Sequence, residues 1–293
     1  MSLACLLFFQ ASGDAQEPNS ATPSPHEWLE EVMARIVLGP AADAKLRQTV
    51  RAEGREFIGV GSFISGGENS GQFRMQVTLH DGQGKHTLSQ ISDGRLAWTR
   101  TAIGESVVVR RVDVSRVQQL LGRTQKTPGT AADDTLIVTP ARRIGGVVEL
   151  LDEVIRHYDL RLRGGRLNGR KVFVASGTLK TEIRESWLEI SGGTMPSLQP
   201  TSVNVIVAAQ DDPATHFGLG WPIRIEYFGD GGSDDPSVKG RTPEAPLISM
   251  IELHSIRKRD QVDAEDFRYQ NREGDVDFLN DTPRYLKRYG GLR

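Results

Sequence analysis

The chain has 293 residues, 38% hydrophobic and 25% charged, which is enough apolar side chain for a core and too mixed in charge for global disorder. Lys and Arg total 36 against 38 Asp and Glu, so the formal net charge of -2 gives no electrostatic footprint for nucleic acid or for charge-driven membrane binding. The single cysteine, Cys5, excludes an internal disulfide and a cysteine-based metal site within one chain.

Met1 to Ala15 carry the apolar run Leu3-Ala4-Cys5-Leu6-Leu7-Phe8-Phe9 and then small residues, the layout of a signal peptide without its basic start. Export is the expectation, the other reading being a simple apolar tail. Residues 16–24 are polar and read as a linker. A signal-like segment and linker over 1–23 and a single domain over 24–293 follow. No later stretch approaches the ~18 consecutive apolar residues of a spanning helix.

Ser24-Pro25-His26-Glu27 combines a capping box with Pro at the first helical position, and Trp28, Leu29, Val32, Met33, Ile36 and Val37 form an apolar stripe up to Gly39-Pro40. From about residue 47 the period becomes two. Phe57, Gly59, Gly61 and Phe63 share one strand face, as do Phe73, Met75, Val77 and Leu79, with Arg74, Gln76, Thr78 and His80 pointing oppositely. Asp81-Gly82, Asp93-Gly94 and Ile103-Gly104-Glu105 are turn signals, and such short connections force antiparallel neighbours.

Ser115 to Gln118 reads as a second capping box that opens a short helix to about Leu121. Thr139-Pro140 predicts the start of a third helix, with Val147, Leu150, Leu151, Val154, Ile155 and Tyr158 on its apolar face. Strands are then expected near 158–163, 170–177, 180–190, 201–209, 222–228, 247–257 and 265–269. The polar stretches 122–135 and 229–246 read as insertions, mobile or functional.

The six histidines never fall at helical ligand spacing, and no G-x-S-x-G elbow is present. Gly59-Val60-Gly61-Ser62 neither completes G-x-G-x-x-G nor precedes a helix, so close backbone packing in a bent strand accounts for it better than a phosphate loop. Asp230, Asp234 and Asp235 do not match a calcium-loop spacing. No catalytic residue, metal or cofactor is assigned, and an enzyme is the least supported class. Trp28, Trp98, Trp187 and Trp221 fit either core packing or the wall of an apolar cavity.

Three segments, Gly71-Gln72-Phe73-Arg74, Ser92-Asp93-Gly94-Arg95-Leu96-Ala97-Trp98 and Ile251-Glu252-Leu253 with Val262 to Tyr269, resemble motifs of the periplasmic lipoprotein carriers and the wider lipoprotein-sorting superfamily. The resemblance implies an α+β fold: a curved antiparallel β-sheet forming an incomplete half-barrel, with helices on its concave face as a lid over an apolar cavity. It makes Phe63, Phe73, Arg74, Trp98 and Trp187 the candidate ligand-binding residues, with Arg74 nearest to the family's lid-fastening arginine and Trp98 a cavity wall. The implied function is a periplasmic or otherwise extracytoplasmic carrier or binder of lipid or lipoprotein acyl chains, a monomer with no nucleic-acid partner. The alternative is a ligand-free envelope scaffold or accessory protein with peripheral protein partners. The chain departs from the family in lacking a proline after Phe73-Arg74 and a Pro-Pro after Tyr269, and in its two insertions. Fold therefore transfers more readily than cargo.

Overall fold

The computed structural model describes residues 23–52, 54–82, 84–122, 138–196, 198–230, 245–271 and 277–290. The signal-like run, nearly all of the linker, and most of both insertions lie outside the described residues.

Helix α1, Pro25–Leu38, starts as its sequence dictates: the Glu27 amide donates to the Ser24 hydroxyl at 3.2 Å, and the Ser24 amide donates to the Glu27 carboxylate at 2.8 Å. Six strands follow as a meander, β1 (Ala42–Ala52), β2 (Arg55–Ser65), β3 (Gln72–His80), β4 (Lys85–Asp93), β5 (Leu96–Ile103) and β6 (Ser106–Asp113), the last three turns falling at Asp81-Gly82, Asp93-Gly94 and Ile103-Gly104-Glu105 as expected. Next come α2 (Val114–Gly122), a 3-10 turn at Pro140–Arg143, and α3 (Gly146–His157). The second half contributes β7 (Tyr158–Leu167), β8 (Arg170–Leu179), α4 (Thr181–Ile190), β9 (Ser202–Ala208), β10 (Pro222–Phe228) and β11 (Leu247–Lys258). A 3-10 turn at Ala264–Phe267, a short β12 (Phe278–Asn280) and α5 (Thr282–Arg288) complete the described chain.

The twelve strands form one open sheet in the order β12-β6-β5-β4-β3-β2-β1-β11-β10-β9-β8-β7. It consists of two antiparallel meanders joined where Leu46 of β1 faces Leu253 of β11. The sheet is curved and does not close, and α1 and α3 lie on its concave face, giving the α+β half-barrel with a helical lid. One detail is corrected: β12 pairs parallel to β6, so the sheet is mixed rather than purely antiparallel.

Strand parity sorts the side chains. Leu46, Phe63, Met75, Val77, Ala175, Val205, Ile225 and Leu253 face the helices and pack against Leu29, Met33, Ile36, Val147, Leu151 and Val154 in a single core. Gly59 and Gly61 sit in that face where β2 meets β3, and a Cβ on Gly61 would fall 1.8 Å from the Gln76 carbonyl oxygen. Close backbone approach is thus the reason for the glycine there. A smaller core joins α2 and α5 through Val117, Leu121, Tyr285 and Leu286.

Four local expectations are corrected. Residues 181–190 form α4, because Ile183, Trp187 and Ile190 recur at helical spacing among strong helix formers, and the intervening charges had read as alternation. The 265–269 region is the 3-10 turn, opened by the Asp263 carboxylate, which accepts from the Glu265 amide at 3.0 Å. Asp113, not Ser115, caps α2, taking the Arg116 amide at 2.8 Å. The third helix begins at Gly146 and not near Pro140, since Gly145 and Gly146 adopt φ of 80° and 63° and break the path from the preceding turn.

A candidate ligand-binding cleft

Gly145 and Gly146 position the start of α3 over β3, where a Cβ on Gly145 would lie 2.3 Å from Phe73 Cζ. The Gly146 amide donates to Gln90 Oε1 at 3.0 Å, and the Gly145 amide to Glu149 Oε2 at 2.8 Å. The lid helices are then tied to each other by charge. Arg143 makes a two-pronged bond to Glu30 of α1, both contacts 2.8 Å, reaches Asp152 of α3 at 3.1 Å and donates from Nε to the Val138 carbonyl. Asp152, which is buried, also accepts from Arg156 at 2.9 Å and from the Tyr289 hydroxyl at 3.0 Å.

A second knot fastens α5 to α3. The Tyr285 hydroxyl donates to both Glu149 oxygens at 2.8 and 3.0 Å, and Arg288 bonds Glu149 and, at 3.1 Å, Glu153. Burial and then the adjacent Glu149 carboxylate hold Glu153 above the usual carboxylate range, against the pull of Arg288. The Tyr285 hydroxyl is pushed up by burial and then by Glu149. For Arg288, burial opposes the charged form, but the two carboxylates raise its pKa on balance.

Between the concave face and these two helices lies a cleft of about 310 Å³. Leu46, Met75, Val77, Leu88, Leu150 and Ile251 give it an apolar floor, while Arg110, Glu149, Glu153, Asp281 and Arg284 surround it with charge. An apolar body with a polar end suits such a lining. Farther under α3, between Phe63, Phe73 and Gly145, the remaining space shrinks to about 30 Å³.

The five candidate residues are distributed over three places. Phe63 is buried to 1% exposure with its ring 6.5 Å from that of Trp221, and Phe73 lies beside it beneath the Gly145-Gly146 break, so these two meet on the helix side. Arg74 and Trp98 project from the opposite face, where the Trp98 ring stacks on Tyr269 at 4.6 Å and Arg74 lines a separate pocket. Trp187 stands 38% exposed on α4, apart from both groups. The arginine bonded to both lid helices is Arg143. Sequence reasoning missed Arg143, Asp152, Glu149 and Arg288, although acidic residues at i, i+3 and i+4 within the apolar stripe of α3 were a signal that part of that stripe meets cations. Among the described residues, no three His, Cys, Asp or Glu side chains gather as a metal site, and no helix is long and apolar enough to cross a membrane.

These features define an open α+β half-barrel with a charge-tied helical lid and a lateral cleft. No family model matches the chain, and no curated protein matches it. Its layout is similar to solved structures of low identity. The Pseudomonas aeruginosa MucA/MucB complex aligns at 12% identity over 84% of this chain and 61% of that one, with a TM-score of 0.39. An uncharacterised conserved protein from Thermus thermophilus aligns at 9% identity over 88% and 99%, with a TM-score of 0.42. A LolA superfamily protein from Nitrosomonas europaea aligns at 11% identity over 84% and 99%, with a TM-score of 0.29.

Proposed function

We propose that this chain is an extracytoplasmic, non-catalytic binding protein that holds a slender apolar ligand, such as an acyl chain, against the concave face of its half-barrel. The cleft carries this reading: about 310 Å³ with an apolar floor and a charged rim, at the lower end of the ~300–1,000 Å³ typical of ligand pockets. An acyl chain would lie along Leu46, Met75 and Leu88 and leave its polar end near Arg110 and Arg284. Phe63 and Phe73 would close the inner end, and a longer ligand would require α3 to lift about the Gly145-Gly146 break.

The second reading, a ligand-free envelope scaffold, is favoured by the space of only about 30 Å³ deeper under α3. Native mass spectrometry with lipid extraction, on protein purified from its own envelope, separates the two. Bound acyl species that are lost when Leu88→Arg fills the cleft support the binder. An empty protein that also ignores apolar fluorescent probes refutes it and leaves the scaffold.

A further inference from the structure

We propose that the free edge of β7 docks an extended acidic segment of a partner protein, which joins the sheet there as a further strand. The sheet is open and ends in β12 on one side and β7 on the other. β12 is three residues long, whereas β7 is ten residues long, about 30 Å, and pairs with β8 in a register without a bulge. The hairpin behind it is tight: Asn168 and Gly169 take φ of 50° and 81°, the backbone of a two-residue turn. The outward N–H and C=O groups of β7 are thereby held in line, a preformed template for an incoming chain.

Charge narrows the choice of partner. β7 carries Arg161, Arg163 and Arg166 against Asp159, an excess of two positive charges in a chain whose net charge is -2. Arg161 and Arg163 are exposed on the face away from the helices, and the β8 residues opposite them are Ser176 and Val174, so neither meets a carboxylate across the strand. Arginines placed in this way also guard the edge against self-association. Two copies paired along β7 would centre on Leu162 or Arg163 and set Arg163 across from Arg161 or from itself, which like-charge repulsion opposes. The same side chains attract a strand that presents carboxylates to them.

The helix side of β7 supplies the apolar half of the recognition. Leu160 and Leu162 are half-buried and pack against the main core. Opposite Gly164, Phe173 of β8 is 42% exposed, its ring 6.0 Å from that of Trp28. A Cβ on Gly164 would meet nothing within 4 Å, so a side chain from an added strand has room to cover the glycine and reach the Phe173 ring. Parity then sets the sequence pattern of the partner: apolar residues beside Leu160, Leu162 and Gly164, and acidic residues beside Arg161 and Arg163.

The test is fluorescence anisotropy of the full chain with a labelled peptide, Thr-Val-Glu-Val-Glu-Val-Thr, at constant ionic strength. Saturable binding is expected, with hydrogen exchange slowed in β7 and unchanged in β12. Arg161→Glu combined with Arg163→Glu should weaken this peptide about tenfold and admit its Lys-for-Glu counterpart, while Arg116→Glu on α2 changes neither. Both β7 arginines are exposed, so the reversed chain should keep the parent's urea midpoint. Two N-methylated peptides, one modified on every Glu and one on every Val, separate strand pairing from simple charge attraction: one set of methyl groups points at β7 and should abolish binding. Absence of saturable binding, binding that survives both methylations, charge reversal without loss, or slowed exchange that spares β7 overturns the proposal. A dimer of the parent chain with protected β7 amides also overturns it, because a second copy would then hold the edge.

Discussion

Phe73→Ala tests how the lid meets the sheet. The ring lies beneath the start of α3, so close to Gly145 that a Cβ there would approach Cζ to 2.3 Å, and it borders the space of about 30 Å³ shared with Phe63. Truncation removes this support and leaves a ring-sized void that the surrounding strands cannot fill. Full burial would make the loss about 3–5 kcal/mol, and the half-buried position of Phe73 reduces it to about 2–3 kcal/mol. Urea denaturation should show this as a lower midpoint with an unchanged slope. An apolar fluorescent probe should bind the variant more strongly than the parent, because the new void is continuous with the apolar interior. A stability loss below about 0.5 kcal/mol, or weaker probe binding, refutes the view that the ring acts as packing beneath α3.

Arg288→Leu leaves Glu149 and Glu153 facing each other without their shared cation, and since Arg288 is only 10% exposed the loss should reach about 3 kcal/mol in thermal or urea melts, with faster proteolysis near α5. Gly61→Ala forces a Cβ to within 1.8 Å of the Gln76 carbonyl, so the β2–β3 ladder must shift, at a cost of about 1–3 kcal/mol by the same melts; a neutral result would mean the strands separate freely. Burial and then Arg156 hold His157 below its ordinary 6.5, so the unfolded chain takes up a proton first as pH falls. Its contribution to stability is complete above pH 6.5 and lost below it, which urea midpoints between about pH 5 and 7.5 should record for the parent and His157→Asn should flatten. Trp98→Ala removes the stack on Tyr269, worth about 0.5–1.5 kcal/mol, and should expose the 264–271 segment to hydrogen exchange while leaving α1 protected.

What the sequence made legible was short-range. Ser24 and Glu27 close a capping box within four residues, and Asp81-Gly82 and Asp93-Gly94 turn strands whose alternation is unbroken, so α1 and the β3–β5 meander could be read directly. The joint between the two meanders could not, because Leu46 and Leu253 are brought together only by folding. The lid chemistry was hidden for the same reason. Glu149 and Asp152 sit in an apolar stripe whose partners, Arg143 with Glu30 of α1 and Tyr285, Arg288 and Tyr289 near the end of the described chain, meet there only in three dimensions. The strand reading of 181–190 failed on a different point: a ten-residue amphipathic segment holds too few apolar positions for period two and period 3.6 to be separated by inspection.

The Phe73-Arg74 pair shows how one strand motif divides between the two faces of a sheet. Successive strand residues point to opposite faces, so Phe73 belongs to the interior under α3 while Arg74, its immediate neighbour, lines a pocket on the other face. The register Phe63↔Met75, fixed by the tight Gly61–Gln76 approach, holds that assignment, because a one-residue slip would place a guanidinium under the lid and a phenyl ring on the opposite face. The two faces therefore share a backbone but no side chain at these two positions. Substitutions at residue 73 and residue 74 should therefore separate cleanly: Phe73→Ala lowers the urea midpoint and raises apolar-probe binding, whereas Arg74→Gln, outside the core under α3, leaves both near the parent values.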